Sequence, residues 1–493
     1  MIRASRSRLR GVRVPLLTAL CLPLTWLAGA ATQSTPGLES RQATGVKVGE
    51  VTDRSALIWT RVTAGAGRRA DGIVRRGMPK PFPAGLQVAD LEGECPGAPG
   101  RVRVRYGEQP DLETGRSTRW AAVNGAADFT HVARLSGLKP ATRYYFAAET
   151  TGPGGTPKHA ALRGEFTTAP DPGQRAPITG AVMTCQAYRD LDHPDGFHIY
   201  DSMHRLRPNF LVAAGDLVYY DSDDPRATTP ALARYHWHRM YSLPLLLRFH
   251  LFTPTYFAKD DHDTHSDDAW PGRNNPLMGE FTFPEGQAIF REQAPMAKSP
   301  FRTFRWGKTL QIWLTEGRDF RSPNTLPDGD AKTIWGAEQK AWLKKTLLES
   351  DAEWKLLISP TPLVGPDRPR GKNDNHSNAA FQSEGVEIRR WFQEKLPDRL
   401  FVINGDRHWQ YHSVHPETGL HEFSCGPASD EHAGGSPGED RRYHRFHRVK
   451  GGFLTVTTET PNGQSRIRFR FHDVRGNVVY EFQRELPVRK PAG

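Results

Sequence analysis

Hydrophobic and polar positions alternate along the first third of the chain. RVRVRYGE (101–108) alternates strictly, and the segment from 129 to 146 has the pattern of two strands joined by a turn at SGLKPAT. A period of two is typical of strands with one buried face, and short strands separated by turn residues are typical of a sandwich. We therefore predict an all-β sandwich over residues 40–170, followed by a Pro- and Gly-containing linker at 171–177.

The pattern changes after residue 177, where continuous apolar runs arrive at helix-length intervals. Six runs have this character: ITGAVMTC (178–185), NFLVAAGD (209–216), LFTPTYFAKDD (251–261), LQIWLTEGRD (310–319), KLLISP (355–360) and LFVINGDRH (400–408). Such runs are typical of strands buried on both faces of an α/β layer structure. A helix is predicted at 337–350, with Trp342, Leu343, Leu347 and Leu348 on its apolar face. Alternation returns near the C-terminus and predicts strands that complete a sheet, so that a second domain spans 175–485.

Five of the six runs end in groups that bind metal ions or phosphate. These groups are Cys185; Asp216 with Tyr219; Asp260, Asp261 and His262; Arg318 with Asp319; and Asp406 with His408. In open α/β layers a site forms at the strand ends, because the sheet fixes the position while the next loop frees the side chain. A single aspartate there is more often a helix cap or turn residue. Several carboxylates at one point would repel one another unless a bound cation compensated them.

The types of candidate ligand favour particular metals. Asp, His, a phenolate and a thiolate suit Fe(III), and the oxygen-rich positions suit a second ion such as Ca²⁺, with Mn, Zn or Mg as alternatives. The chain has no CxxC pair, HExxH motif or GxxxxGK[ST] loop, which excludes zinc-finger, zincin and P-loop interpretations. Two adjacent metals clamp a phosphoryl group and make hydroxide available as a nucleophile, so the pattern points to phosphate ester hydrolysis.

The N-terminal residues 1–31 have the features of an export signal. Five arginines without an acid precede an apolar stretch from Val14 to Leu27, and small residues follow it. This favours cleavage after Ala30 or Ala31 over an uncleaved membrane anchor. Loss of the five arginines would lower the formal net charge from +11 to +6. We expect a secreted, periplasmic or cell-surface monomer without a transmembrane helix after processing and without specific nucleic-acid binding.

Three cysteines would remain after processing, namely Cys95, Cys185 and Cys425. An odd number leaves at least one thiol without an intramolecular partner. A free cysteine commonly packs as a small buried hydrophobic residue, and the alternative for Cys185 is that it binds a metal ion.

Several motifs together resemble those of the PhoD-type alkaline phosphatases, within the calcineurin-like metallophosphoesterases. In family order these are TCQAY (184–188), GDLVYYD (215–221), KDDHDTHSDDAW (259–270), WLTEGRDFRSP (313–323), WGAEQKAWLKKTL through WKLLISPTPL (335–363) and NGDRHWQYH (404–412). The resemblance implies a four-layer α/β fold, in which a β-sandwich core is flanked by helices. LSGLKPATRYYF and GEFTTAP likewise resemble a fibronectin type III or phosphatase N-terminal sandwich. Fold alone does not establish activity.

The resemblance also implies roles for the metal ligands. Cys185, Asp216 and Tyr219 would bind a ferric ion, and Asp216 would bridge to a calcium-type site. Asp260 and Asp261 would belong to that second site.

The remaining implied roles concern the GDxH block and the substrate. Asp406 and His408 would lie at the metals, where His408 is a candidate catalytic residue as well as a candidate ligand. His262 would assist the leaving group. Arg318 and Arg321 would contact the phosphate. Kinship also implies twin-arginine export, although the signal has only spaced arginines.

Two stretches depart from the family pattern. Asp263 stands where glutamate is expected, which alters any supporting role by one methylene. KNDNHSNAAF (372–381) replaces an Asp-Trp-Asp-Gly-Tyr-like stretch, and this bears on substrate range. The Gly/Pro-rich insertion at 64–100 either covers a neighbouring surface or is solvated.

Three functions fit these observations. The first is a phosphoesterase acting on monoesters or diesters, and the second is a phosphodiesterase or phospholipase D-like enzyme acting on lipid headgroups. The third is a non-catalytic adhesion protein that carries a decayed phosphatase domain. Metal content and paired assays with both ester types distinguish the three.

Overall fold

The computed structural model describes residues 39–368 and 374–486. The predicted export signal, residues 1–31, lies outside this range. The N-terminal part contains eight strands: β1 (Val46–Gly49), β2 (Ser55–Arg61), β3 (Gly100–Gly107), β4 (Arg116–Ser117), β5 (Ala121–Val123), β6 (Thr130–Ser136), β7 (Arg143–Thr151) and β8 (Leu162–Thr167).

The remainder alternates strands with helices and then ends in strands. Its elements are β9 (Ile178–Met183), α1 (His198–Leu206), β10 (Phe210–Ala214), α2 (Pro230–Tyr241), α3 (Pro244–Phe252), β11 (Thr255–Ala258), α4 (Phe283–Gln293), β12 (Arg302–Trp306), β13 (Leu310–Leu314), α5 (Gly336–Glu349), β14 (Trp354–Ser359), α6 (Gln382–Lys395), β15 (Leu400–Asn404), β16 (Gln410–Val414), β17 (His421–Cys425), β18 (His444–Arg448), β19 (Phe453–Glu459), β20 (Arg466–His472) and β21 (Val478–Glu485). Each of the six apolar runs coincides with one of these strands, and only β14 begins outside its run, one residue earlier at Trp354.

Two large sheets pack against each other. A nine-stranded sheet has the order β21-β20-β19-β9-β10-β11-β1-β2-β6, and a seven-stranded sheet has the order β12-β13-β14-β15-β17-β16-β18. Strands β9, β10 and β11 are mutually parallel, as are β13, β14, β15 and β17. One apolar cluster contains side chains of both sheets, including Val212 of β10 and Ile358 of β14. This cluster forms the core between the sheets.

Helices cover the outer faces of both sheets. In β10 the side chains of Leu211 and Ala213 belong to a cluster that includes helices α1 to α4, whereas Val212 and Ala214 belong to the inter-sheet core. A further cluster joins α5 and α6 to the outer face of the seven-stranded sheet. Continuous apolar runs arise because each strand is buried on both faces. In α5, Leu348 is 57% exposed, so the prediction that it lies on the apolar face is wrong.

The N-terminal strands form two sheets, one of which continues into the second part of the chain. Strands β4-β3-β7-β8 form a separate sheet with β5 paired to β3, and an apolar cluster joins this sheet to β1, β2 and β6. Strand β1 also pairs in parallel with β11, with Gly49 opposite Thr255. This pairing removes an exposed edge from each element, which explains why the sheet crosses the predicted domain boundary.

The 64–100 insertion covers a neighbouring surface. Leu91 is fully buried in the cluster that contains α1 to α4. The Arg76 guanidinium donates hydrogen bonds to the carbonyl oxygens of Arg189 and Leu191, at 3.0 and 2.9 Å. Across the described residues, no helix combines the length and apolar character needed to cross a membrane.

Candidate metal centre

Four candidate ligands stand at the same distance from the end of a strand. Cys185, Asp216, Asp260 and Asp406 each lie two residues beyond the last residue of β9, β10, β11 and β15, respectively. Three of them adopt left-handed backbone conformations, with φ of 53° at Cys185, 56° at Asp216 and 62° at Asp406. Such conformations are uncommon for residues other than glycine and concentrate at functional sites.

Backbone contacts hold these loops together. The Cys185 amide donates to the Gly215 carbonyl at 3.2 Å, and the Gln186 amide donates to the Asp216 carbonyl at 2.9 Å. Gly215 has a φ of 104°, and a Cβ atom there would lie 2.8 Å from the Cβ of Asp260. Glycine is therefore needed at this position for both its conformation and its size.

The side chains at the loop ends converge into overlapping clusters. Within each cluster the potential ligand atoms lie within 4.8 Å of one another: Cys185, Asp216 and His408; Asp216, Asp261 and His262; Asp216, Asp260 and Asp406; and Asp261, Asp267 and Asp268. Asp216 belongs to three of these groups. Its position is therefore that of a residue able to bridge two ions.

The electrostatics of the cluster fit a cation. Burial and the neighbouring Asp261 raise the pKa of Asp216 well above its usual value, and burial together with Asp216 raises the pKa of the Cys185 thiol. The Cys185 Sγ lies 3.4 Å from Asp216 Oδ2. Asp216 Oδ1 and Asp260 Oδ2 are buried without a hydrogen-bond partner among the described residues. Because buried carboxylate oxygens need a partner, these atoms suit direct coordination.

Tyr219 lies inside the same pocket and is only 1% exposed. Its phenol oxygen is 2.9 Å from His432 Nε2 and 3.5 Å from His408 Nε2. Its ring lies against that of His262, with centroids 4.3 Å apart. Burial and the neighbouring Cys185 raise the pKa of Tyr219, so a cation would be needed to stabilise its phenolate.

The two candidate phosphate-binding arginines have different surroundings. Arg318 is fully buried, pairs with Asp260 through Nε and lies 3.5 Å from Asp261. Its Nη1 has no hydrogen-bond partner within the described part of the chain. Arg321 instead donates to the backbone carbonyl of Asp374 at 2.5 Å. Asp319 lies outside the ligand clusters and pairs with Lys259 at 2.6 Å.

His262 is held by a carboxylate from another loop. Its Nδ1 lies 2.6 Å from Asp221 Oδ1. Burial lowers the pKa of His262, but the charges of Asp221 and Asp261 outweigh burial, so that the pKa is well above its usual value. A pKa raised in this way favours the protonated imidazole, which is the form that can donate a proton.

Asp263 supports two ligand loops at once. Its Oδ1 accepts a hydrogen bond from the Asp260 amide at 2.7 Å, and its Oδ2 accepts one from the Leu217 amide at 3.0 Å. The shorter aspartate, found where glutamate was expected, therefore bridges these two loops.

Sequence reasoning missed several residues of the pocket. His432 contacts Tyr219 and is itself held by Asp190, and Arg407 lies 3.4 Å from Asp374 and contacts the adjacent Asp406. Asp221 and Arg407 lie inside quoted motifs and could have been identified from them. His432 follows no predicted strand, and it reaches the pocket only through the tertiary fold.

Comparison with known proteins places the chain in a family. The family model described as PhoD-like phosphatase matches residues 181–486, and that of the PhoD-like phosphatase N-terminal domain matches residues 29–170. Alkaline phosphatase D of Bacillus subtilis (strain 168) is 22% identical over 418 residues, which cover 74% of this chain and 64% of that protein. The chain thus matches slightly less than two thirds of that relative's length.

Solved structures share the fold. The structure of PhoD superposes with a TM-score of 0.69 at 16% identity, covering 93% of this chain and 94% of the other. Purple acid phosphatase PPD1 from yellow lupin (Lupinus luteus) seeds has a TM-score of 0.57 at 12% identity, covering 89% of this chain and 73% of the other. The first family model spans more than half of the chain, which confirms the resemblance seen in the motifs. The chain belongs to the PhoD-like phosphatase family.

Proposed function

We propose that this chain is an exported metal-dependent phosphoesterase that hydrolyses phosphate monoesters, diesters or both. The observation that carries this proposal is the convergence of the strand-end loops on Asp216, where buried carboxylate oxygens meet a thiol, a phenol and an arginine. Membership of the PhoD-like phosphatase family supports the same reaction class. The proposal includes a four-layer metallophosphoesterase fold and a fibronectin III-like sandwich formed by β1 to β8.

The ligand chemistry supports two different metal positions. Cys185, Asp216, Tyr219 and His408 would hold Fe³⁺, because a thiolate, a phenolate and an imidazole suit this ion. The oxygen-rich side, formed by Asp216, Asp260, Asp261 and Asp406, would hold Ca²⁺ or a similar divalent ion. When bound, the metals would polarise the phosphate and activate water for attack.

The protein's own residues would position the ester and manage its charge. Arg318 presents the buried donor Nη1 beside Asp260 and can orient a phosphate oxygen. His262, which is held by Asp221 and whose protonated form the Asp221 charge favours, can donate a proton to the departing alkoxide. Burial of the pocket strengthens both interactions because little water screens them.

The test combines metal analysis with ester hydrolysis. We expect purified protein to contain iron and calcium, to cleave p-nitrophenyl phosphate or bis-p-nitrophenyl phosphate at alkaline pH and to lose activity with a chelator. Asp216→Ala and Cys185→Ala should abolish activity. The matched control is Cys95→Ala, because Cys95 is also a buried free thiol but lies outside the ligand clusters.

Each possible result has a distinct meaning. Wild-type activity in both site variants would refute the proposal, whereas a protein without metal or activity would favour the non-catalytic alternative. The ratio of monoester to diester turnover separates a phosphatase from a diesterase acting on headgroups. Mass analysis of the exported protein tests cleavage after Ala30 or Ala31, and its hydrodynamic size tests the monomer.

A further inference from the structure

We infer that His432, oriented by Asp190, is a positioning residue that holds the Tyr219 phenol oxygen in the metal pocket. This inference rests on the proposed function, since it concerns the same centre. His432 Nδ1 lies 2.7 Å from Asp190 Oδ2, and His432 Nε2 lies 2.9 Å from the Tyr219 oxygen. The three side chains thus form a continuous carboxylate, imidazole and phenol chain.

The backbone around His432 is attached to the loops that supply two candidate ligands. The Ala428 amide donates to the Cys185 carbonyl at 3.1 Å, and the Gly434 amide donates to the His408 carbonyl at 3.0 Å. The two anchors lie on either side of His432, so the ring position is tied to both Cys185 and His408. His432 itself is only 7% exposed.

Ring contacts restrict the imidazole further. Its centroid lies 4.1 Å from that of His408, and it meets the Tyr219 ring edge to face at 5.1 Å and 77°. Rotation of His432 would therefore require both rings to move.

The geometry favours a supporting role over direct metal ligation. Among the described residues, the groups of potential ligand atoms within 4.8 Å of one another contain His408 but not His432. Both ring nitrogens of His432 already face partners, Asp190 on one side and Tyr219 on the other. The Asp190 carboxylate accepts a hydrogen bond from Nδ1, and this contact orients the ring so that Nε2 faces the Tyr219 oxygen.

This arrangement has a consequence for metal retention. Partners outside the ligand set typically change metal affinity or activity about 10–100-fold when they are removed. Without His432, the phenol oxygen would keep the contact with His408 Nε2 at 3.5 Å, and His408 is itself a candidate ligand. We therefore expect loss of His432 to weaken iron retention and to disturb the bond between Tyr219 and iron.

The experiment uses the full chain reconstituted with Fe(III). A phenolate bound to Fe(III) absorbs visible light by charge transfer, so the band reports on Tyr219 directly. The measurements are the position and intensity of this band, iron retention against a graded chelator, and the melting temperature of the metal-free protein. His432→Phe preserves an aromatic ring, His432→Gln preserves a polar group, and Asp190→Asn preserves the shape of the carboxylate.

The control is His447→Gln. His447 is a partly buried histidine that is hydrogen-bonded to Ser436 at 2.7 Å, and it lies outside the ligand groups. We expect H432F to shift or weaken the band and to lower iron retention about 10-fold or more. H432Q should retain more iron than H432F, and D190N should lose less iron than H432F. H447Q should match the wild type in both the band and iron retention.

The outcomes separate this inference from the proposed function. If the wild type shows the phenolate band and H432F keeps both that band and the iron retention of the wild type, the inference is overturned and the metal centre remains in place. A wild-type protein that takes up iron without a phenolate band, or takes up none, would overturn the ferric site and the inference with it. If H432F does not fold, H432Q decides: reduced retention at an unchanged melting temperature supports the role, and wild-type retention refutes it.

Discussion

Glu422 of β17 offers a sharp test of how the loop after β14 is held. Its Oε2 accepts hydrogen bonds from the amides of Leu363 and Val364, at 2.6 and 2.9 Å. Its Oε1 accepts from the Gly365 amide at 2.7 Å and from the Tyr411 hydroxyl at 2.9 Å. Burial raises the pKa of Glu422, and the three backbone donors oppose that rise. One side chain therefore satisfies three backbone donors in the interior.

Glu422→Gln changes one oxygen into a donor while keeping the volume of the side chain. If the amide nitrogen replaces Oε1, the Gly365 amide loses its acceptor, whereas the Tyr411 hydroxyl still has Asn404 Oδ1 at 3.1 Å. The opposite orientation leaves two amides without an acceptor and is disfavoured. One unsatisfied buried donor costs about 1–3 kcal/mol. We expect the free energy of unfolding to fall by about 2 kcal/mol, including the weaker bonds to a neutral acceptor.

The change should also reach the metal pocket. The loop held by Glu422 leads to Asp367, which lies 3.3 Å from Arg407, and Arg407 contacts Asp406. A loosened loop would misplace this pair, so metal affinity should fall together with stability.

Urea denaturation of the metal-free protein, followed by circular dichroism, measures the stability effect, and metal titration measures the second effect. Glu417→Gln is the control because Glu417 is exposed in the turn that precedes the same strand, and it should change stability by less than about 0.5 kcal/mol. The reasoning is refuted if E422Q unfolds within about 0.5 kcal/mol of the wild type at an unchanged denaturant slope.

Three further predictions concern the pocket and the core. Asp216→Asn should raise the melting temperature of the metal-free protein, because it removes a buried carboxylate whose pKa is raised by burial and by Asp261. The same change should lower metal-dependent hydrolysis by more than about 100-fold, and a hydrolysis rate near that of the wild type would contradict this. Gly405→Ala would place a Cβ 2.3 Å from the Ala214 carbonyl oxygen and should lower the free energy of unfolding, measured by urea denaturation, by about 1–3 kcal/mol. An unchanged free energy of unfolding would disprove this. Burial lowers the pKa of His412 to about 2, below the ordinary 6.5, so the unfolded chain binds more protons than the folded chain as the pH falls below 6.5, and stability decreases. His412→Phe should remove up to about 1.4 kcal/mol per pH unit of this loss between pH 6.5 and 4. Parallel curves of unfolding free energy against pH for the wild type and the variant would contradict the assignment.

Much of the scaffold was predictable from the sequence because its signals are local. Alternation identified strands such as β3 and β7, and continuous apolar runs identified β10 and β15, since burial on one face or two leaves different periods. The polar residues that follow the buried strands marked the edge where a site forms. Leu348 shows the limit of this approach, because a helical period does not say how wide the covered face is.

The partners that those strand-end residues meet depend on contacts between segments that lie far apart along the chain. Asp190 and Tyr219 reach His432 from 242 and 213 positions away, and no local pattern marks His432 as part of the pocket. The pairing of β1 with β11 likewise depends on which sheet edge is open after folding. Local patterns along the chain are enough to show which segments are buried and where chemistry-bearing side chains leave them, since both follow from neighbouring residues. Which of these side chains meet, and what holds them, follows from packing between distant segments, because hydrogen bonds and charges act over a few ångströms of space irrespective of separation along the chain.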